Sequence, residues 1–80
     1  TAIRLSHNFI SSIAQNAFQS FENVRELSLW NNKISSIDDN AFSGLNNLER
    51  LRLDSNNLSS FNLKALEPLK RLHFINFAIN

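Results

Sequence analysis

The side chains that could do chemistry in this chain are few, and their spacing does not suit catalysis. The two histidines, His7 and His73, lie far apart, and neither has a helical partner at metal-ligand spacing. Serines are plentiful, but none has a histidine–acid pair nearby. Asp38-Asp39-Asn40 looks like the start of a calcium loop. It lacks the loop length and the further carboxylates such a site needs, so it reads as the cap of a short helical turn. No glycine-rich phosphate loop is present. No catalytic, cofactor-binding or metal-binding residue is assigned, and no enzyme activity is expected. What remains is recognition chemistry: one tryptophan, Trp30, with arginines at positions 4, 50 and 52 and an aromatic at Phe74. Tryptophan and arginine are the side chains most enriched among binding hot spots.

The elements that must position these residues follow from three columns. Ile3, Leu27, Leu51 and Ile75 form one; Leu5, Leu29, Leu53 and Phe77 a second; Asn8, Asn32, Asn56 and Asn80 a third. Each recurs every 24 residues, with no insertion or deletion. A fixed period of this size implies a solenoid whose repeats bury their apolar faces against each other. Within each repeat, apolar residues alternate, as at Leu27/Leu29 and Leu51/Leu53. That is the period of a short half-buried strand. Stacking in register makes a parallel sheet. The expected fold is an α/β solenoid with short helical or 3₁₀ turns on the return path, around 16–21, 40–45 and 64–69. Pro68 suits one short turn better than a long helix. The expected division is one array over 1–80, with repeats 1–23, 24–47 and 48–71 and a partial fourth over 72–80.

The asparagines have a structural task. The chain turns sharply after each strand, and an inward asparagine offers both a carbonyl and an amide to the stranded backbone. Asn8, Asn32, Asn56 and Asn80 are therefore expected to be a structural ladder rather than a binding site.

Composition narrows the partners. The chain has 80 residues, no cysteine and a formal charge of +1, with acids and bases interleaved. Disulfides and thiolate metal sites are excluded, and no basic footprint for nucleic acid appears. No apolar run approaches the roughly 18 residues of a membrane span, so no direct membrane contact is expected of this segment. The chain starts and stops inside repeats. Ile3 and Leu5 at one end, and Ile75 and Phe77 at the other, are expected to expose the core's cross-section. An excerpt of a longer protein is the expected origin, with oligomerisation through the uncapped ends if the segment stands alone.

The pattern Leu-x-x-Leu-x-Leu-x-x-Asn-x-Leu, carried by Val24, Leu27, Leu29, Asn32 and Ile34 and by Leu48, Leu51, Leu53, Asn56 and Leu58, resembles the leucine-rich repeat. The resemblance covers the whole chain. The 24-residue length and Ala41-Phe42-x-x-Leu45 resemble the "typical" subclass of animal extracellular and cell-surface proteins. The family's phenylalanine spine maps to Phe18 and Phe42 and departs at Leu66. The resemblance implies a horseshoe with the sheet on its concave side. It also implies a protein-interaction module of a secreted or cell-surface receptor, adhesion or innate-immune protein, binding a protein ligand or co-receptor. The alternatives are structural spacer repeats within a longer solenoid and an intracellular scaffold.

Strand residues between the inward leucines point out from the sheet. The expected partner-binding set is Trp30, Arg4, Arg52, Asp54, Glu26, Arg50, Ser28, Phe74 and Asn76. Every counterpart of Trp30 in its column is small or polar (Ser6, Asp54, Ala78). Trp30 either anchors a ligand or lies flat over Arg52 or Asp54 as cover for the sheet. Arg25 should pair with Glu49 and Glu26 with Arg50 across neighbouring strands. Arg4 and Arg52 lack an obvious partner in their own column, which marks them for ligand contact. Asn57-Leu58-Ser59 is an N-glycosylation sequon on an outward position.

Overall fold

A computed structural model describes residues 1–59 and 61–80. Its strands are β1 (Ala2–Arg4), β2 (Ser12–Ile13), β3 (Glu26–Ser28), β4 (Ser36–Ile37), β5 (Arg50–Arg52) and β6 (Phe74–Asn76). The main sheet is four-stranded and parallel, in the order β1-β3-β5-β6. Its register is the 24-residue period itself: Ile3 opposite Leu27, Leu27 opposite Leu51, Leu51 opposite Ile75. Pairing runs beyond the three-residue strands. Leu5, Leu29 and Leu53 donate to the carbonyls of Ser28, Arg52 and Asn76 at 2.8–2.9 Å. His7, Asn31 and Ser55 donate in turn to Trp30, Asp54 and Ala78.

Leu27, Leu51 and Leu53 are fully buried, because each lies between neighbours of its own kind. Ile3, Leu5, Ile75 and Phe77 are half-buried against the same core.

At the turn after each strand the residue before the ladder asparagine takes a left-handed conformation: His7, Asn31, Ser55 and Ile79, with φ between 57° and 59°. The asparagines answer that turn. The Asn56 carbonyl oxygen accepts from the backbone of Asn32 and Ile34, at 3.2 and 3.1 Å. Its amide donates to the carbonyls of Leu29 and Leu53, at 3.0 and 3.1 Å. Asn32 repeats this one coil earlier, with Asn8, Ile10, Leu5 and Leu29. Asn80 accepts from Leu58 and donates to Leu53 and Phe77. Asn8 donates to Leu5. Among the described residues no buried side-chain nitrogen or oxygen lacks a partner.

The return path holds a second, two-stranded parallel sheet, β2 with β4, which the alternation pattern does not foretell. The first two return segments are hydrogen-bonded turns rather than helices. Only the third forms a 3₁₀ turn, over Leu63–Leu66. Its cap is Asn62, whose side chain accepts from Lys64 at 3.0 Å. Asp38, one repeat earlier, accepts from Asn40 at 2.8 Å. Both leave a backbone donor satisfied where the turn begins. Phe18 and Phe42 stack at 6.4 Å and 17°. The third repeat departs from this spine with a half-buried Leu66, and Phe61 packs on Phe77 instead, at 5.1 Å. Gly44 has φ 95°, and a Cβ there would sit 2.5 Å from the carbonyl oxygen of Gln19.

Candidate recognition surface

The outward face of the main sheet carries two chains of side-chain contacts. The first begins at Glu26, whose carboxylate lies between two guanidiniums: Arg4 at 3.8 Å on one side and Arg50 at 4.0 Å on the other. Arg50 also lies over the ring of Phe74, 4.5 Å from its centre. Beside this line, Arg25 pairs with Glu49 at 2.6 Å. Glu26–Arg50 and Arg25–Glu49 are the crossed pairs that parallel strands in register require, since equivalent residues lie about 4.8 Å apart. Each contributes below about 1 kcal/mol at this exposure.

The second chain is aromatic. Arg52 grips Asp54 through two bonds, Nε to Oδ1 at 3.1 Å and Nη2 to Oδ2 at 2.7 Å. The same guanidinium lies over the Trp30 ring, 4.5 Å from its centre. On its other flank Trp30 meets His7 edge-on, with centroids 4.3 Å apart. The Asn31 amide lies 2.6 Å from Nδ1 of His7. An amide nitrogen can only donate, so Nδ1 is the acceptor in this contact. The result is an indole held between a cation and an imidazole, with both neighbours themselves tethered.

Two expectations are corrected here. Arg4 and Arg52 are not without partners. Column-by-column comparison looks only straight across the sheet, whereas Arg52 finds Asp54 two residues along its own strand face. Arg4 reaches diagonally to Glu26, within range of a long side chain. Second, Ser28 and Asp54 point to the outward side but are not open to a ligand, at 5% and 7% exposure. Ser28 is a small side chain placed opposite Arg4 and Arg52, and Asp54 is held by Arg52. Asn76 accepts from the Ala78 amide at 2.9 Å, turned back on its own strand end.

Trp30, Arg52 and Asp54 are thus brought together, and Arg4, Glu26, Arg50 and Phe74 form a separate line. His7 belongs with Trp30, although in the sequence it stands out only as one of two widely separated histidines. Its signal is its place beside Asn31 in the 24-residue register. Asn57 is exposed and its backbone is fixed by a bond to Ile34. Among the described residues no cluster of histidine and acidic side chains could hold a metal, and no helix is long and apolar enough to cross a membrane.

Parallel coils in register, each giving one strand to the main sheet, with an asparagine closing every turn, define a repeat protein of the solenoid class. A family model described as leucine rich repeat matches residues 1–58 and again 22–80, and the chain belongs to that family. Repeats of this family are generally protein-interaction modules. No curated sequence matches the chain closely enough to name a relative.

Proposed function

We propose that this chain binds a protein ligand through the concave sheet, as part of a secreted or cell-surface protein of the typical animal extracellular subclass. Receptor, adhesion and immune roles are the contexts such a surface serves. The observation that carries the reading is the mounting of Trp30. Its indole is half-buried and fixed between Arg52 and His7, so little side-chain freedom is left to lose on binding. Such preorganised aromatic and arginine groups are the ones that dominate interface energies. Arg4, with its side chain 73% exposed, stands at the margin of the same face. The sequon at Asn57 lies on an exposed position and suits a glycosylated ectodomain.

A spacer role has one observation in its favour: Arg4, Arg25, Arg50 and Arg52 each have an acidic partner within the sheet. The deciding experiment compares the full-length protein with its Trp30→Ala and Arg4→Ala variants. Ligand binding and melting temperature are read in parallel. Binding lost with the melt unchanged supports the proposal. Binding retained in both variants makes these repeats a spacer.

A further inference from the structure

The near-neutral composition hides an uneven surface. In three of the sheet's ion pairs the arginine stands outside and the glutamate lies beneath. The side chains of Arg4, Arg25 and Arg50 are 73%, 57% and 55% exposed, whereas Glu26 and Glu49 are 32% and 31% exposed. Three guanidiniums therefore share two carboxylates, and Glu26 serves Arg4 and Arg50 at once. Both reach it through Nε, at 3.8 and 4.0 Å. Their Nη groups, which carry most of a guanidinium's donors, are therefore not the atoms nearest Glu26. The five side chains border a shallow depression of about 410 Å³.

We infer that this depression receives an acidic segment of a protein partner, its Asp or Glu carboxylates bridging the outer edges of Arg4, Arg25 and Arg50. This rests on the proposed concave protein-binding role and specifies the chemistry of the partner. Arginine's planar fork suits a carboxylate in two-point contact. The half-buried glutamates act as positioning residues: they hold the stems in place while leaving an excess of positive charge outward. A nucleic-acid backbone fits worse. It carries a charge about every 1.7 Å of duplex and would meet Glu26 and Glu49 as well as the arginines.

The test uses the full-length protein and immobilised synthetic peptides: oligoglutamate, oligolysine and a neutral serine peptide, with heparin as a separate probe. Oligoglutamate alone among the peptides is expected to bind, weakening steeply as salt rises. Arg50→Glu should reduce that binding roughly tenfold, in line with charge steering at clefts. Arg4→Gln, a milder change at an exposed position, should reduce it less without moving the melt. Failure of oligoglutamate to bind, binding that ignores both substitutions, or retention by heparin but not oligoglutamate would each overturn the inference. The concave-binding proposal fails separately, if the native ligand remains bound to both Trp30→Ala and Arg4→Ala.

Discussion

Asp54 fixes the position of Trp30 through Arg52. Its carboxylate holds Arg52 by two bonds, and Arg52 lies 4.5 Å above the indole. Replacing Asp54 with alanine frees the guanidinium and uncovers one face of the ring. Trp30 is the chain's single tryptophan, so fluorescence reads the change directly. Asp54→Ala should shift Trp30 emission to longer wavelength. The stability loss should be only about 1 kcal/mol, because Arg52 remains solvent-screened. An unchanged spectrum would mean that the ring is held by other contacts.

The asparagine ladder should be unequal along its length. Asn32 and Asn56 are each 6% exposed and each serves two neighbouring turns. Alanine at either leaves buried backbone donors and acceptors unmet, at about 1–3 kcal/mol. Asn8 is exposed and donates only within its own turn, so Asn8→Ala should cost well under half as much. Urea melts of the three variants side by side would show the order, and equal losses would contradict it.

Strain is concentrated in the left-handed column. Ile79 holds φ 59° with its side chain 81% exposed, and a β-branched residue resists that conformation. Ile79→Asn removes strain without removing core, and should stabilise by about 0.5–1 kcal/mol. Ser55→Asn, at φ 57°, should act in the same direction by less. A lower melting temperature for Ile79→Asn would refute the strain argument.

Gly44 is fixed on two grounds at once. Its φ of 95° suits glycine, and a methyl group would strike the Gln19 backbone at 2.5 Å. Gly44→Ala should therefore destabilise by about 1–3 kcal/mol. The effect should reach the preceding coil, and amide exchange around Gln19 would detect it. A loss of protection confined to residues near Gly44 would argue that the coils yield independently.

Much of this was legible because the columns repeat chemistry as well as hydrophobicity. Leu27 and Leu51 had to face inward together, and Asn32 and Asn56 had to solve the same turn. The left-handed column escaped notice because His7, Asn31, Ser55 and Ile79 share no side-chain property. The backbone shape there is imposed by the asparagine that follows. β2 and β4 were invisible since two residues cannot show a period. On the outward face, pairings across strands such as Arg25–Glu49 could be read from register. The Arg52–Asp54 grip and the Arg4–Glu26 diagonal depend on side-chain reach, which column matching ignores. The contact between His7 and Trp30 is hidden for a related reason: it joins different columns.

Asn32, Asn56 and Asn80 bond across 22 to 27 residues of chain, and these separations govern how the molecule can assemble. A lone coil gains almost none of these bonds. A second coil must arrive, after a loop of that length has closed at an entropic cost, before the first asparagine finds its partners. Growth is then a zipper moving one turn at a time, with Asn32 and Asn56 as its teeth. A fault at Asn32 or Asn56 halts propagation in both directions.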